Sequence, residues 1–377
     1  MFLCDIVKYY MKKINILTNK EARFLGLYYG YWNFFFIFRK ELNDLNLEIN
    51  FFSRINKKFL EADYLFLNSR SFPQKNELVD IDYLKNLYSK NSNLYWFDMR
   101  DSAGTTQFEV LPYVKKYIKK QFYKDKSIYF KKIEGGRFYA DYYINKYKIK
   151  DETKYHSIIL KKEYIDKLLL GWNIGVGFFF DYLNFTKFDY YKEFIKIKYL
   201  KKNEFSLKIN DHQDWSSDKN KHDLICLMNT KFNRNSVGFQ RNKLKKILTN
   251  VTNLNKITDI RFNKNAYYKT LKNTKISIGA YGWGEVCYRE FEATKLGVAI
   301  MFPNMEHIDT WPNIYINNET YTSYDLNFDN FNNKLMNLVS DIKLRKYLVN
   351  NAKDVLNDIH KKVGKDYFIK TILNIIN

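Results

Sequence analysis

Between residues 277 and 303 the chain reads Ser277-Ile-Gly-Ala-Tyr-Gly-Trp-Gly-Glu-Val-Cys-Tyr-Arg-Glu-Phe-Glu-Ala-Thr-Lys-Leu-Gly-Val-Ala-Ile-Met-Phe-Pro303. A predicted strand runs into Gly279, Gly282 and Gly284, then into a helix opening near Glu285. Glycines let a backbone approach a ligand closely, and the N–H groups that open a helix attract phosphate. Glu285, Arg289 and Glu292 share one helical face by their spacing, with Glu290 beside them. A solvated salt-bridge face is the competing reading of those charges. The glycines after a buried strand favour a ligand loop. Asp98, Arg100 and Asp101 follow the apolar run Leu94–Phe97, at the carboxyl end of another predicted strand. A carboxylate there suits general-base removal of a proton from an acceptor hydroxyl; the competing reading is a cap with a structural ion pair.

Other chemistries lack their residues. His156, His212, His222, His307 and His360 show no HxxxH or clustered ligand spacing. Cys4, Cys226 and Cys287 stand too far apart for a disulfide scaffold or a CxxC zinc site. There is no Gly-x-Ser-x-Gly elbow and no Walker A loop. Asp80-Ile-Asp82 has the form of a metal-binding pair, but it precedes a helix and reads as a cap. His307 follows a buried strand, where substrate contact and a satisfied loop histidine are both open. Gly171-Trp-Asn-Ile-Gly-Val-Gly177 lacks the strand–turn–helix setting of a dinucleotide loop and reads as an interdomain or core turn.

The elements that must position these groups come in two series. Strand-like Ile14–Leu17, Leu47–Phe52, Tyr64–Asn68 and Leu94–Phe97 alternate with helical patterns, including Ile81–Tyr88, Tyr113–Phe122 and Tyr139–Tyr147. A second series holds strands at Asp223–Met228, Lys256–Ile260, Lys275–Ile278 and Val298–Phe302. Its helices are Val237–Leu248, Tyr267–Thr274 and Cys287–Leu296, the last ended by Gly297, with Phe328 to Ile376 helical throughout. Two βα series imply two Rossmann-like domains, whose ligands bind beyond the carboxyl ends of the strands. The boundary between them falls within 185–222.

The 277–303 segment resembles the nucleotide-sugar half of GT-B glycosyltransferases of the group-1, family-4-like type, in Glu292-Ala-Thr-Lys-Leu-Gly-Val-Ala-Ile. It looks closer still to a bacterial subgroup with Gly-Trp-Gly-Glu-x-Cys-Tyr-Arg-x-Phe-Glu-Ala, which stands here as Gly282 to Ala293. Pro303-Asn-Met-Glu-His307 and Thr310-Trp-Pro312 follow. Asp98-Met-Arg-Asp-Ser-Ala-Gly104, Glu109-Val-Leu-Pro-Tyr113 and Gly135-Gly-Arg137 extend the resemblance, which covers about 11 to 377. It implies a GT-B α/β fold, two Rossmann-like domains facing a cleft, with C-terminal helices crossing back to the first. The expected divisions are 11–200 on the acceptor side, 201–345 for the nucleotide sugar, and 346–377 as the returning helical segment.

The resemblance also implies roles. Glu292 would hydrogen-bond the nucleotide ribose. The family's first glutamate, which meets the donor sugar, lies eight positions earlier; here that position is Gly284 and the nearest glutamate is Glu285. Lys231, Arg234 and Arg241, in and after the loop that follows the first strand of the second half, would clamp the donor diphosphate. Arg gives bidentate contact and Lys a point charge. The expected site is thus Asp98, Asp101 and Glu285 as catalytic groups, with Lys231, Arg234, Arg241, Gly282, Gly284, Arg289 and Glu292 on the donor. Neither metal nor cofactor is expected, the nucleotide sugar being a substrate.

Lys plus Arg is 63 against 41 Asp plus Glu, a formal charge of +22 over 377 residues. That favours anionic partners, although an AT-rich codon bias also explains abundant lysine. The basic residues are spread, with no tail-like block. Leu25–Phe38 and Leu168–Leu183 are too short and too polar to span a bilayer. Tyr28–Phe38 reads as core; if the acceptor is lipid-linked, that helix with Arg23, Arg39 and Lys40 is where membrane contact is expected. Residues 1–10 read as an extension before Met11. The expectation is a cytoplasmic bacterial glycosyltransferase, peripheral at the inner membrane face. It would build a surface glycan such as lipopolysaccharide, lipooligosaccharide or capsule and would bind no nucleic acid. The rival readings are a basic α/β nucleic-acid-binding protein and an inactive nucleotide-sugar-binding domain.

Overall fold

Residues 11–18, 30–75, 78–151, 158–177, 222–232 and 234–377 are described by a computed structural model of the chain. The expected domain boundary, the extension at 1–10 and Arg23 lie outside the described residues.

The first half builds on β1 (Lys12–Leu17), β2 (Leu47–Phe52), β3 (Tyr64–Asn68), β4 (Leu94–Asp98), β5 (Lys116–Lys119), β6 (Gln121–Tyr123) and β7 (Leu168–Leu170). All but β6 form one parallel sheet in the order β2-β1-β3-β4-β5-β7. β3 and β4 are buried along their whole length, as parallel strands covered on both faces must be. This is why they show as apolar runs in the sequence. Asp80 caps α1 (Ile81–Lys90), its carboxylate accepting from Tyr83 N at 3.0 Å, so Asp80-Ile-Asp82 is a cap.

Residues 113–122 are not helical as expected. They form β5 and β6 because β5 pairs with β4, Tyr95 opposite Lys116 and Phe97 opposite Ile118. The buried Tyr117 and Ile118 suit a strand as well as a helix, and the neighbouring strand decides. α2 (Phe138–Tyr147) follows as expected. Within Tyr28–Phe38, Tyr31, Trp32, Phe34, Phe35 and Phe38 are buried core, while Arg39 and Lys40 are exposed.

The second half holds β8 (His222–Cys226), β9 (Lys256–Thr258), β10 (Thr274–Ile278), β11 (Ala299–Pro303), β12 (Ile308–Thr310) and β13 (Thr322–Tyr324). β9-β8-β10-β11-β13 form a second parallel sheet. Its helices are α3 (Asn235–Asn250), α4 (Lys264–Lys272) and α5 (Tyr288–Lys295), the last followed by Gly297 at φ 72°. The expected single helical tail is three helices, α6 (Phe331–Ser340), α7 (Ile342–Asp358) and α8 (Lys362–Ile376). Asp341 breaks it by capping α7 through Leu344 N at 2.9 Å.

α7 stays on the second sheet through Leu348 and Val349. α8 crosses back. Phe368 enters an aromatic cluster with Phe34, Phe35, Phe38 and Trp172, and Tyr367 donates to Gly171 O at 2.8 Å. Two parallel α/β sheets with a final helix returning to the first are the GT-B arrangement. β6 and β12, one from each half, pair as an antiparallel ribbon with Ile308 opposite Tyr123 and Thr310 opposite Gln121. Asn173 adds a second tie, its Nδ2 donating to Thr310 Oγ1 and Pro312 O. The 171–177 segment is therefore an interdomain turn.

Candidate active site

In the second sheet the chain order reverses between β8 and β10, and a crevice opens beyond the carboxyl ends of such strands. The loops after β8 and β10 line it. Arg241, from α3, ties them together. Its Nε donates to Tyr281 O at 2.8 Å, its Nη1 to Asn229 O at 3.0 Å, and its guanidinium lies over Phe232 at 4.6 Å. Gly282 has to be small: a Cβ there would lie 2.6 Å from Arg241 Nη2.

Arg289 stands on the first turn of α5, half-buried. Burial works against its charge, but Cys287, Glu290 and Tyr267 outweigh burial and favour the cation. Among the described residues its guanidinium makes no hydrogen bond or ion pair, and it is close enough to Arg241 to depress that group's pKa further after burial. Lys231 is exposed on the loop after β8, and Arg234 is half-buried just before α3. Glu292 turns towards α4, where its carboxylate accepts from Tyr268 Oη at 2.6 Å and Tyr267 Oη at 3.1 Å. A cavity of about 200 Å³ lies between α3, β8 and β9, with Cys226, Met228, Thr230, Thr249 and Thr258 in its wall. The Lys245–Asp259 ion pair, 2.7 Å, stands beside it. Cys226 links this cavity to the arginines, since its thiol feels both Arg289 and Arg241, while burial pushes it up to about 12.

The glycine loop is gripped by the first half. Glu285 is wholly buried; Oε1 accepts from Ser102 Oγ at 2.7 Å, and Oε2 from Ala103 N at 3.0 Å and Gln121 Nε2 at 2.9 Å. It is a clasp across the seam, buried and held by three donors of the first half. Gly284 presses on the first half so closely that a Cβ would sit 1.8 Å from Asp101 O. Arg137 Nε donates to Trp283 O at 2.9 Å and Tyr139 Oη to Gly282 O at 2.6 Å.

Of the two aspartates, Asp98 lies inside the first half and not at the mouth of a cleft. Its Oδ2 accepts from Lys119 Nζ at 2.6 Å and Tyr117 Oη at 2.5 Å, its Oδ1 from Arg100 N at 2.8 Å. Burial opposes its charge, but Lys119, Arg100 and these hydrogen bonds hold its carboxyl below the usual carboxylate range. The cap-and-ion-pair reading is the one that fits it. Asp101 differs. Its side chain is 49% exposed, in ion pairs with Arg70 and Lys120 at 3.3 Å each. Here too burial is outweighed, by Lys120 and Arg70, and the carboxyl stays low and ionised.

His307 packs tilted against Phe138, with ring centroids 4.6 Å apart, and stacks on Tyr123 at 6.2 Å. Burial pushes it down to about 4, with help from Lys124. It is a neutral loop histidine. Gln121, Tyr139, Arg70 and Lys120 carry no signal in the sequence, and Ser102 shows only within Asp98–Gly104. Arg137 was visible only as the end of Gly135-Gly-Arg137. Nothing local marks Gln121 as the partner of a glutamate 164 positions away.

No family model matches the chain, and no curated protein matches it. Solved structures do. A glycosyltransferase from Rickettsia africae is 11% identical, with 98% of each chain covered and a TM-score of 0.42. An alpha-glucosyltransferase solved with UDP and a 13-mer DNA is 12% identical, covering 97% of this chain and 99% of its own, TM-score 0.41. T4 phage BGT solved with UDP-glucose is 13% identical, 96% and 99% covered, TM-score 0.41.

Proposed function

We propose that this chain moves a sugar from a nucleotide-sugar donor to a hydroxyl of a bacterial surface-glycan precursor, of lipopolysaccharide, lipooligosaccharide or capsule type. The observation that carries the reading is Arg289, a half-buried guanidinium without a hydrogen-bonding partner among the described residues, at the crevice between β8 and β10. Near it lie Arg241 and a cavity of about 200 Å³, and the glycine loop that leads into α5 abuts Asp101 of the other half at Gly284. Arg289 and the N–H groups opening α5 hold the diphosphate and stabilise the charge that builds on it as the anomeric C–O bond breaks. Lys231 and Arg234 add positive charge at the outer loop. Arg241 acts mainly by fixing Asn229 and Tyr281. The acceptor oxygen attacks the anomeric carbon, and Asp101 takes its proton.

Asp98 and Glu285 hold loops in place. Glu292 accepts from two tyrosine hydroxyls, one on each oxygen, and keeps acceptor capacity for a ribose hydroxyl. Gly282 and Gly284 keep the loop backbone close to Arg241 and Asp101. Two arginines supply the charge that a metal would, so the reaction is read as metal-independent, and EDTA should leave turnover unchanged. The setting is cytoplasmic, where nucleotide sugars are made, with peripheral contact at the inner membrane face. No described helix is long and apolar enough to cross a membrane.

A thermal-shift screen of UDP, GDP, CMP, ADP, dTDP and their sugar conjugates tests the reading, because a ligand of the folded state raises Tm by mass action. One base should shift selectively. Arg289→Ala should weaken that diphosphate about tenfold to a hundredfold and leave the nucleoside unchanged. No shift with any nucleotide, alongside salt-sensitive binding of unrelated oligonucleotides, would transfer the assignment to the nucleic-acid reading that the +22 charge supports. Nucleotide binding without donor consumption on any acceptor would leave an inactive binding domain.

A further inference from the structure

We infer that Trp283 is a platform on which one pyranose ring of the substrate stacks. The inference rests on the glycosyl-transfer reading, and it names the group that meets the sugar. Trp283 is at the tip of the glycine loop, and that loop is held hard. Tyr281, Gly282 and Trp283 each have their carbonyl taken, by Arg241, Tyr139 and Arg137, and Glu285 is clasped by the first half. The backbone is therefore rigid, yet the residue is left 41% exposed.

Two groups orient the indole. The Arg137 guanidinium lies over it at 5.2 Å, and Phe232 meets it nearly edge-on, centroids 5.4 Å apart and planes at 68°. Two χ angles then hold a flat apolar surface at the seam, with little entropy left to lose when a ligand arrives. One residue further on, Gly284 abuts Asp101, whose half-exposed carboxylate pairs with Arg70 and Lys120.

A pyranose has an apolar C–H face and a rim of hydroxyls. An exposed indole with the Arg137 guanidinium over it, next in the chain to a glycine that abuts Asp101, matches both. The C–H face packs on the ring, and the hydroxyls bond to charged groups that can donate and accept. A nucleobase would stack equally well on the indole but would make poor use of that charged rim.

Ligand-observed saturation-transfer NMR tests this without turnover. The probes are methyl α-D-glucopyranoside, methyl β-D-galactopyranoside and methyl N-acetyl-β-D-glucosaminide, with sorbitol as an open-chain control. Wild type should transfer saturation to the protons on one face of at least one glycoside. Trp283→Ala should weaken that signal about tenfold, while Trp283→Phe keeps most of it. No transfer from wild type, or transfer unchanged in Trp283→Ala, overturns the inference. So does a Trp283→Ala loss of UDP or GDP affinity as large as the loss for glycosides, which would put a base on the indole. The nucleotide thermal shift, run in parallel on the same proteins, judges the glycosyl-transfer reading separately.

Discussion

Gly284 and Glu285 show how much of the seam depends on single atoms. An alanine at 284 would push its Cβ into Asp101 O, so the loops must part. Gly284→Ala is expected to cost about 3 kcal/mol in urea unfolding and to lower donor affinity, since both walls of the site move. Glu285→Ala leaves Ser102 Oγ, Ala103 N and Gln121 Nε2 without their acceptor in a dry seam, again about 3 kcal/mol. A stability change within error for Glu285→Ala would mean that the clasp is not made in solution. Glu290 carries the pH prediction. Burial pushes its carboxyl up to about 7. A raised carboxyl favours folding below its ordinary value near 4.5, and that contribution is lost as pH rises through 7. Burial also pushes His307 and His360 down to about 4. Their contribution is present above about 6.5 and lost as pH falls, so the groups offset one another in the wild type. Glu290→Gln isolates one side. It should be more stable than wild type by about 3 kcal/mol near pH 8, with only a small gain near pH 5. Equal gains at both values would refute the assignment of Glu290.

At the scale of elements, two connections make one molecule of two sheets. The β6–β12 ribbon supplies backbone hydrogen bonds across the seam. α8 supplies apolar area, because Phe368 packs against Phe34, Phe35 and Trp172. Phe368→Ala should therefore cost about 3–5 kcal/mol, as for a large core ring. It should do so in one cooperative transition if the halves unfold together, and in two if α8 is only a strap; circular dichroism and aromatic fluorescence followed in parallel separate these. Most strands were legible beforehand. β3, β4, β10 and β11 are buried on both faces and show as short apolar runs between turns. β5 and β6 were not, since Lys116-Tyr-Ile-Lys119 suits either period until β4 lies beside it.

Over the whole molecule, the proposed site lies where the second sheet reverses and the first half closes on it. The net charge of +22 attracts anionic ligands without choosing among them, so association of the proposed donor should slow as ionic strength rises. Donor on-rates that ignore salt would remove any steering role for that charge.

The sequence alone determined the alternation of two βα series, the tight loop with its three glycines, the cap at Asp80 and the stop at Gly297. Each is a short-range consequence of burial period or backbone freedom, written within a dozen residues. Only the tertiary structure decided what the charged groups do. Asp98 is taken by Lys119 and Tyr117 one strand away, Glu285 by Ser102 and Gln121 from the other half, and Glu292 by two tyrosines of α4. Asp101 and Arg289 are the two on which the proposed reaction rests. A carboxylate's role depends on which donors reach it and how much water remains, and both are fixed by residues that can lie 183 positions apart.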